Sequence, residues 1–92
     1  MIKARNVISD KGNPITNQII ISDEKKDTET FQSYNSIIAI KEYMPLKITL
    51  DDYYWNYSRT TSKYRNMFLN ETTEETKRKI KDGTYKLANL NK

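Results

Sequence analysis

The chain has 92 residues, 36% of them apolar, and carries 16 Lys/Arg against 12 Asp/Glu for a net charge of +4. A chain of this length supports one domain (residues 1–92) and one modest core. Cysteine and histidine are both absent, which excludes disulfides, zinc–thiolate sites, thiol nucleophiles and histidine-dependent triads.

Seven tyrosines, two phenylalanines and a tryptophan argue for an ordered fold, because disordered chains are poor in such residues. Met1-Ile2-Lys3-Ala4-Arg5-Asn6 leads into no apolar run of signal-peptide length. No stretch approaches the roughly 18 apolar residues of a membrane span, so the expected location is the cytoplasm. Residues 1–46 hold six Lys/Arg and six Asp/Glu, whereas residues 47–92 hold ten and six. A charge excess confined to one half points to a surface that meets an anionic partner, or simply to a solvated face.

In chain order, Ile2 to Ile8 reads as a first strand and Asp10-Lys11-Gly12-Asn13-Pro14 as a turn. Thr16 to Ser22, with Ile19-Ile20-Ile21, completes a β-hairpin. Asp23 to Asp27 is a charged, exposed connection. Thr28 to Tyr34 and Ser36 to Glu42 read as extended segments, either two strands or one bent one. Pro45 belongs to a turn, and Leu46 to Leu50 alternates as a half-buried strand does.

The second half changes character. Tyr54, Tyr57, Thr61, Tyr64 and Phe68 follow helical spacing, but Ser58 to Ser62 competes for its own backbone. The expectation is a break there, with Thr61 capping a helix that runs through Leu69. Thr72-Thr73-Glu74-Glu75 matches a capping box, acids lead and bases follow, and Gly83 suits the C′ position. That predicts a helix over about 73–82, and Thr84 to Leu90 then reads as a last strand. The fold class expected is α+β: a mostly antiparallel sheet of four to six strands, with two short helices inserted before the last strand.

Carboxylates are what remains for chemistry. Asp51-Asp52 and the Asp23, Glu24, Asp27 group lack the spacing of a calcium loop, and no nucleophile–base pair stands out. The expectation is a non-enzymatic protein without cofactor or metal. The most informative segment is Tyr53 to Arg65, with five aromatics, two arginines and a lysine in thirteen residues. Rings beside cations suit single-stranded nucleic acid, and Tyr, Trp and Arg are enriched at protein–protein hot spots. Tyr54, Trp55, Tyr64 and Phe68 equally suit a core between helix and sheet. The candidate partner-binding residues are Trp55, Tyr57, Arg59, Lys63 and Arg65, with Lys77, Arg78, Lys79 and Lys81 joining them if the two helices lie side by side.

Phe31 to Ala39 followed by Tyr54 to Tyr64 resembles a family of small proteins carried by phages and mobile elements of Gram-positive and gut bacteria. Its pattern is a strand with Ser-Tyr-Asn, a second strand, then Tyr-Ser-x-Thr-Thr and a short helix ending in Phe-Leu, here Phe68-Leu69. The resemblance covers about residues 29–70 and brings no catalytic residue with it. It implies an accessory protein that inhibits a host defence system by direct binding, with a CRISPR effector ribonucleoprotein as the foremost target (an anti-CRISPR role). Direct binding of RNA or DNA through the aromatic–basic surface is the alternative.

Overall fold

The computed structural model describes residues 1–92. Six strands form one sheet in the order β1-β2-β3-β4-β5-β6. They are β1 (Ile2–Ile8), β2 (Pro14–Asp23), β3 (Thr28–Ser33), β4 (Ser36–Glu42), β5 (Lys47–Asp51) and β6 (Lys86–Ala88). The first five are joined as antiparallel neighbours, and β6 returns parallel to β5 after both helices. Parallel pairing requires a crossover connection, and α1 (Arg59–Leu69) and α2 (Thr73–Lys81) supply it. The α+β architecture matches the sequence expectation, and the two central extended segments are separate strands joined at Tyr34-Asn35.

Side-chain alternation divides the sheet into two unequal faces. Ile20, Phe31, Ala39 and Leu50 are cross-strand partners and share the face that carries the helices. An irregularity in the pairing between Phe31/Gln32 and Ile37/Ala39 leaves Ile38 unpaired. Ile38 and Ala39 are both buried in the core as a result. On α1, Thr61, Tyr64, Arg65, Phe68 and Leu69 turn inward at helical spacing. Phe68 stacks on Phe31 with ring centroids 5.8 Å apart. Lys41 donates from Nζ to the Phe68 carbonyl and lies 4.4 Å from that ring, which ties the end of α1 to β4.

The opposite face carries no helix. Its middle row is Ala4, Ile21, Thr30, Ile40 and Thr49, and the row beside it is Ile2, Asp23, Thr28, Glu42 and Lys47.

Helix ends follow their local signals, with one correction. Ser58, not Thr61, caps α1: its hydroxyl accepts from the Thr61 amide at 3.1 Å. Thr61 is buried inside the helix and shares a 3.0 Å hydrogen bond with Ser33 of β3. Asn70 ends α1 in the left-handed region at φ 56°. The capping box of α2 forms as expected, with Thr72 and Glu75 bonding reciprocally at 3.1 and 3.0 Å. Gly83, at φ 87°, follows the last turn.

Candidate partner-binding surface

The aromatic segment between β5 and α1 is folded over the end of the sheet by a buried carboxylate. Asp51 Oδ2 accepts the amides of Tyr53 and Tyr54 at 3.1 and 2.7 Å, and Oδ1 accepts that of Leu90 at 2.8 Å. Burial pushes this carboxyl up, but the amides of Tyr54 and Leu90, the Asn91 side chain and the Tyr53 amide more than reverse it. The net shift is downward, so Asp51 stays ionised and anchors the loop to the segment that follows β6.

Held in this way, Tyr53, Tyr54 and Tyr57 pack ring against ring, with centroids 4.8, 5.2 and 6.0 Å apart. Tyr54 faces the core, while Tyr53 and Tyr57 are 68% and 61% exposed. Across from them, the β3–β4 turn presents Tyr34, 53% exposed and held at φ 57° by its amide bond to the Asn17 carbonyl at 2.7 Å. A bulky residue at positive φ is strained and needs its surroundings to hold it there.

Between turn and loop lies a cleft of about 270 Å³, lined by Ser33, Tyr34, Asn35, Ser36, Ile38, Tyr54, Tyr57 and Thr61. Its lining holds aromatic rings, hydroxyls and one amide, and no charged side chain. Below it the Ser33–Thr61 bond closes the floor, and on β2 the cross-strand partner of Ser33 is Gln18. Gln18 is 1% exposed, and neither its Oε1 nor its Nε2 has a hydrogen-bond partner.

The cations that the sequence groups together are dispersed. Arg59 and Lys63 are exposed on α1, one turn apart. Lys63 faces Lys11 across a second, smaller cleft of about 170 Å³ that also includes Asp10 and Tyr64. On α2, Lys77 pairs loosely with Glu74 at 3.7 Å, while Arg78 and Lys81 are exposed. Lys79 is committed to the chain itself: it binds the buried Glu71 carboxylate at 2.7 Å, which Thr76 and Tyr85 also donate to. The helices meet only at their shared corner, where Asn66 Nδ2 donates to Thr73 Oγ1 at 3.2 Å, and they do not run alongside each other. The side-by-side arrangement on which a single basic patch depended is therefore not formed.

Arg65 is the clearest departure from the sequence reading. It is fully buried, donates to the Trp55 carbonyl, to Asn66 Oδ1 at 2.8 Å and to Thr73 Oγ1 at 2.9 Å, and sits 5.2 Å from the Trp55 ring. It joins the loop, α1 and α2, and is closed to a partner. Trp55 is half-buried against it and packs on the core. Of the candidate residues Trp55, Tyr57 and Arg59, the structure leaves Tyr57 and Arg59 on the surface. It adds Tyr53 of the aromatic segment, and Tyr34 and Asn35, which the sequence showed only as part of a strand with Ser-Tyr-Asn.

No group of three or more acidic side chains is placed to hold a metal ion, and no helix is long and apolar enough to cross a membrane. The chain belongs to DUF8033, a family of unknown function, which matches residues 2–83. No curated protein and no solved structure matches it.

Proposed function

We propose that this member of a family without an assigned role acts by binding another protein through its tyrosine cleft. The observation that carries the reading is the exposure of Tyr34 and Tyr57 on one uncharged cleft, with exposed Tyr53 packed against Tyr57. Three large rings left in water by a domain with few apolar residues offer apolar area whose burial by a partner is favourable. Tyrosine and arginine are also the residues that anchor protein–protein contacts. A cleft of about 270 Å³ admits one side chain from the partner, with the rings of Tyr34, Tyr54 and Tyr57 around it.

The specific role we propose is inhibition of a host defence effector, foremost a CRISPR ribonucleoprotein, by occupying its surface. This follows the resemblance of residues 29–70 to phage-borne proteins. The net charge of +4 argues against DNA mimicry, which needs an acidic surface, and favours an acidic protein patch as the contact.

The alternative, direct binding of single-stranded nucleic acid, draws support from Lys11 and Lys63 lining one cleft. Against it stands the dispersal of the remaining cations, since a strand gains affinity from a continuous run of phosphate contacts.

Capture of partners from a lysate of a CRISPR-bearing host, with and without nuclease, separates the two readings. The protein reading expects an effector in both samples, lost with Tyr57→Ala and Arg59→Ala. Recovery of nucleic acid alone, abolished by nuclease, would overturn it.

A further inference from the structure

The open face of the sheet is built unlike a solvated one. An antiparallel sheet exposed on one side normally alternates apolar residues inward with polar residues outward. Here the outward positions of β2 and β4 carry Ile19, Ile21, Ile37 and Ile40, all only partly buried. A shallow depression of about 320 Å³ runs among Ile2, Ile21, Thr30 and Ile40, with Asp23 and Glu42 on its rim.

We infer that this face is a homodimer interface, with a second copy of the chain packed sheet on sheet about a two-fold axis parallel to the strands. The strand order carries the argument. Because the sheet has six strands in sequence order, such an axis, centred between β3 and β4 so that the two faces overlap fully, places β2 opposite the partner's β5 and β3 opposite the partner's β4. In the outer row, Asp23 then meets Lys47 of the second copy, twice by symmetry, and Thr28 meets Glu42. In the middle row, Ile21 meets Thr49 and Thr30 meets Ile40, so each branched isoleucine faces a smaller threonine. No like charges are opposed in these two rows. The alternative two-fold, perpendicular to the strands in the plane of the face, would set each strand over its own copy and loses this charge match.

The size of the face sets the strength. Six strands about 4.8 Å apart and five residues of about 3.4 Å each span roughly 29 by 17 Å. Covering that face on both copies buries roughly 1,000 Å², the lower limit for a specific interface. The dimer is accordingly weak, and its population depends on concentration. The tyrosine cleft lies at the loop end of the helix-bearing side, so dimerisation leaves it open, and this inference stands independently of the function proposed above.

Sedimentation velocity of the full chain, from about 1 µM to about 1 mM, tests it. The expected result is a monomer–dimer equilibrium within that range. Lys47→Glu, at an exposed position with no ion pair of its own, sets two carboxylate pairs against each other and weakens association at least tenfold. Asp23→Asn, which keeps the side-chain oxygen that accepts the Lys25 and Lys26 amides, restores most of that loss when added to Lys47→Glu. A chain that stays monomeric throughout, or a dimer indifferent to Lys47→Glu, overturns the inference. Circular dichroism of each variant shows that any loss is of association and not of folding.

Discussion

Replacing Arg65 with methionine distinguishes a structural arginine from a partner-binding one. The guanidinium is fully buried and makes its shortest bonds to three acceptors on three segments, with longer ones to Asn56 and Ser62 and no carboxylate within ion-pair distance. Hydrogen bonds from a charged donor contribute about 1.5–3 kcal/mol each. Against them, removing a buried charge relieves several kcal/mol of desolvation. Asn66 and Thr73 are half-exposed and regain water when the donor is lost. Methionine also forfeits the contact with the Trp55 ring, worth roughly 0.5–2 kcal/mol. The net expectation is a loss of about 2–4 kcal/mol. For a domain of 92 residues, each kcal/mol shifts Tm by about 4–8 °C, so the midpoint should fall by about 8–32 °C. Thermal unfolding followed by circular dichroism measures this directly, with Arg59→Ala as the surface control expected to stay within about 0.5 kcal/mol. A parent-like Tm for Arg65→Met, combined with lost partner capture, would refute the buried assignment and return Arg65 to the interface.

Gln18→Met removes an amide buried without partners while keeping its volume, and should raise stability by about 1–2 kcal/mol in urea titrations; a loss would mean the amide is satisfied in solution. Ser58→Ala should cost about 1 kcal/mol as the loss of an N-cap. Thr61→Val should instead cost its buried bonds to Ser33 and Ser58 and leave the cap in place, which chemical-shift mapping of the first turn can separate. Glu71→Gln should destabilise by about 1–3 kcal/mol near neutral pH. Burial pushes the Glu71 carboxyl up, but the bonds from Lys79, Thr76 and Tyr85 more than reverse it, leaving its folded pKa below the ordinary 4.5. Its contribution is therefore present above about pH 4.5 and is lost as pH falls through the lower folded value. The gap between parent and variant should narrow on acidification; a gap constant from pH 7 to pH 3 would show that the carboxylate's charge is irrelevant.

The features legible in the sequence were those decided within a few residues. The isoleucine runs and the Leu46–Leu50 alternation mark strands because their period of two and branched side chains suit a pleated surface. The α2 boundaries follow from the capping box and Gly83, whose bonds close inside one turn. Features that need a distant partner were not legible. Ser58 and Thr61 are chemically equivalent as caps, and what settles the choice is that Thr61 spends its hydroxyl partly on Ser33, 28 residues earlier. The extra residue Ile38 is invisible in the strand pattern and arises from fitting β3 to β4 beneath α1.

The tyrosines and cations show the same division most clearly. Composition and spacing determined that rings and bases would gather between residues 53 and 65, and that chemistry relying on histidine or cysteine is out of reach. They could not determine which members face water. Arg65 shares its helical face with Thr61, Tyr64 and Phe68, so the same 3.6-residue period that buries them buries it, and the acceptors that make this tolerable come from Trp55 and Thr73. Tyr34 and Tyr57 are 23 residues apart in the chain and meet at one cleft only because Asp51 folds the loop back over the sheet end. Local propensity shaped the elements; the tertiary structure decided the surface, because exposure depends on which other segment arrives to cover each side chain.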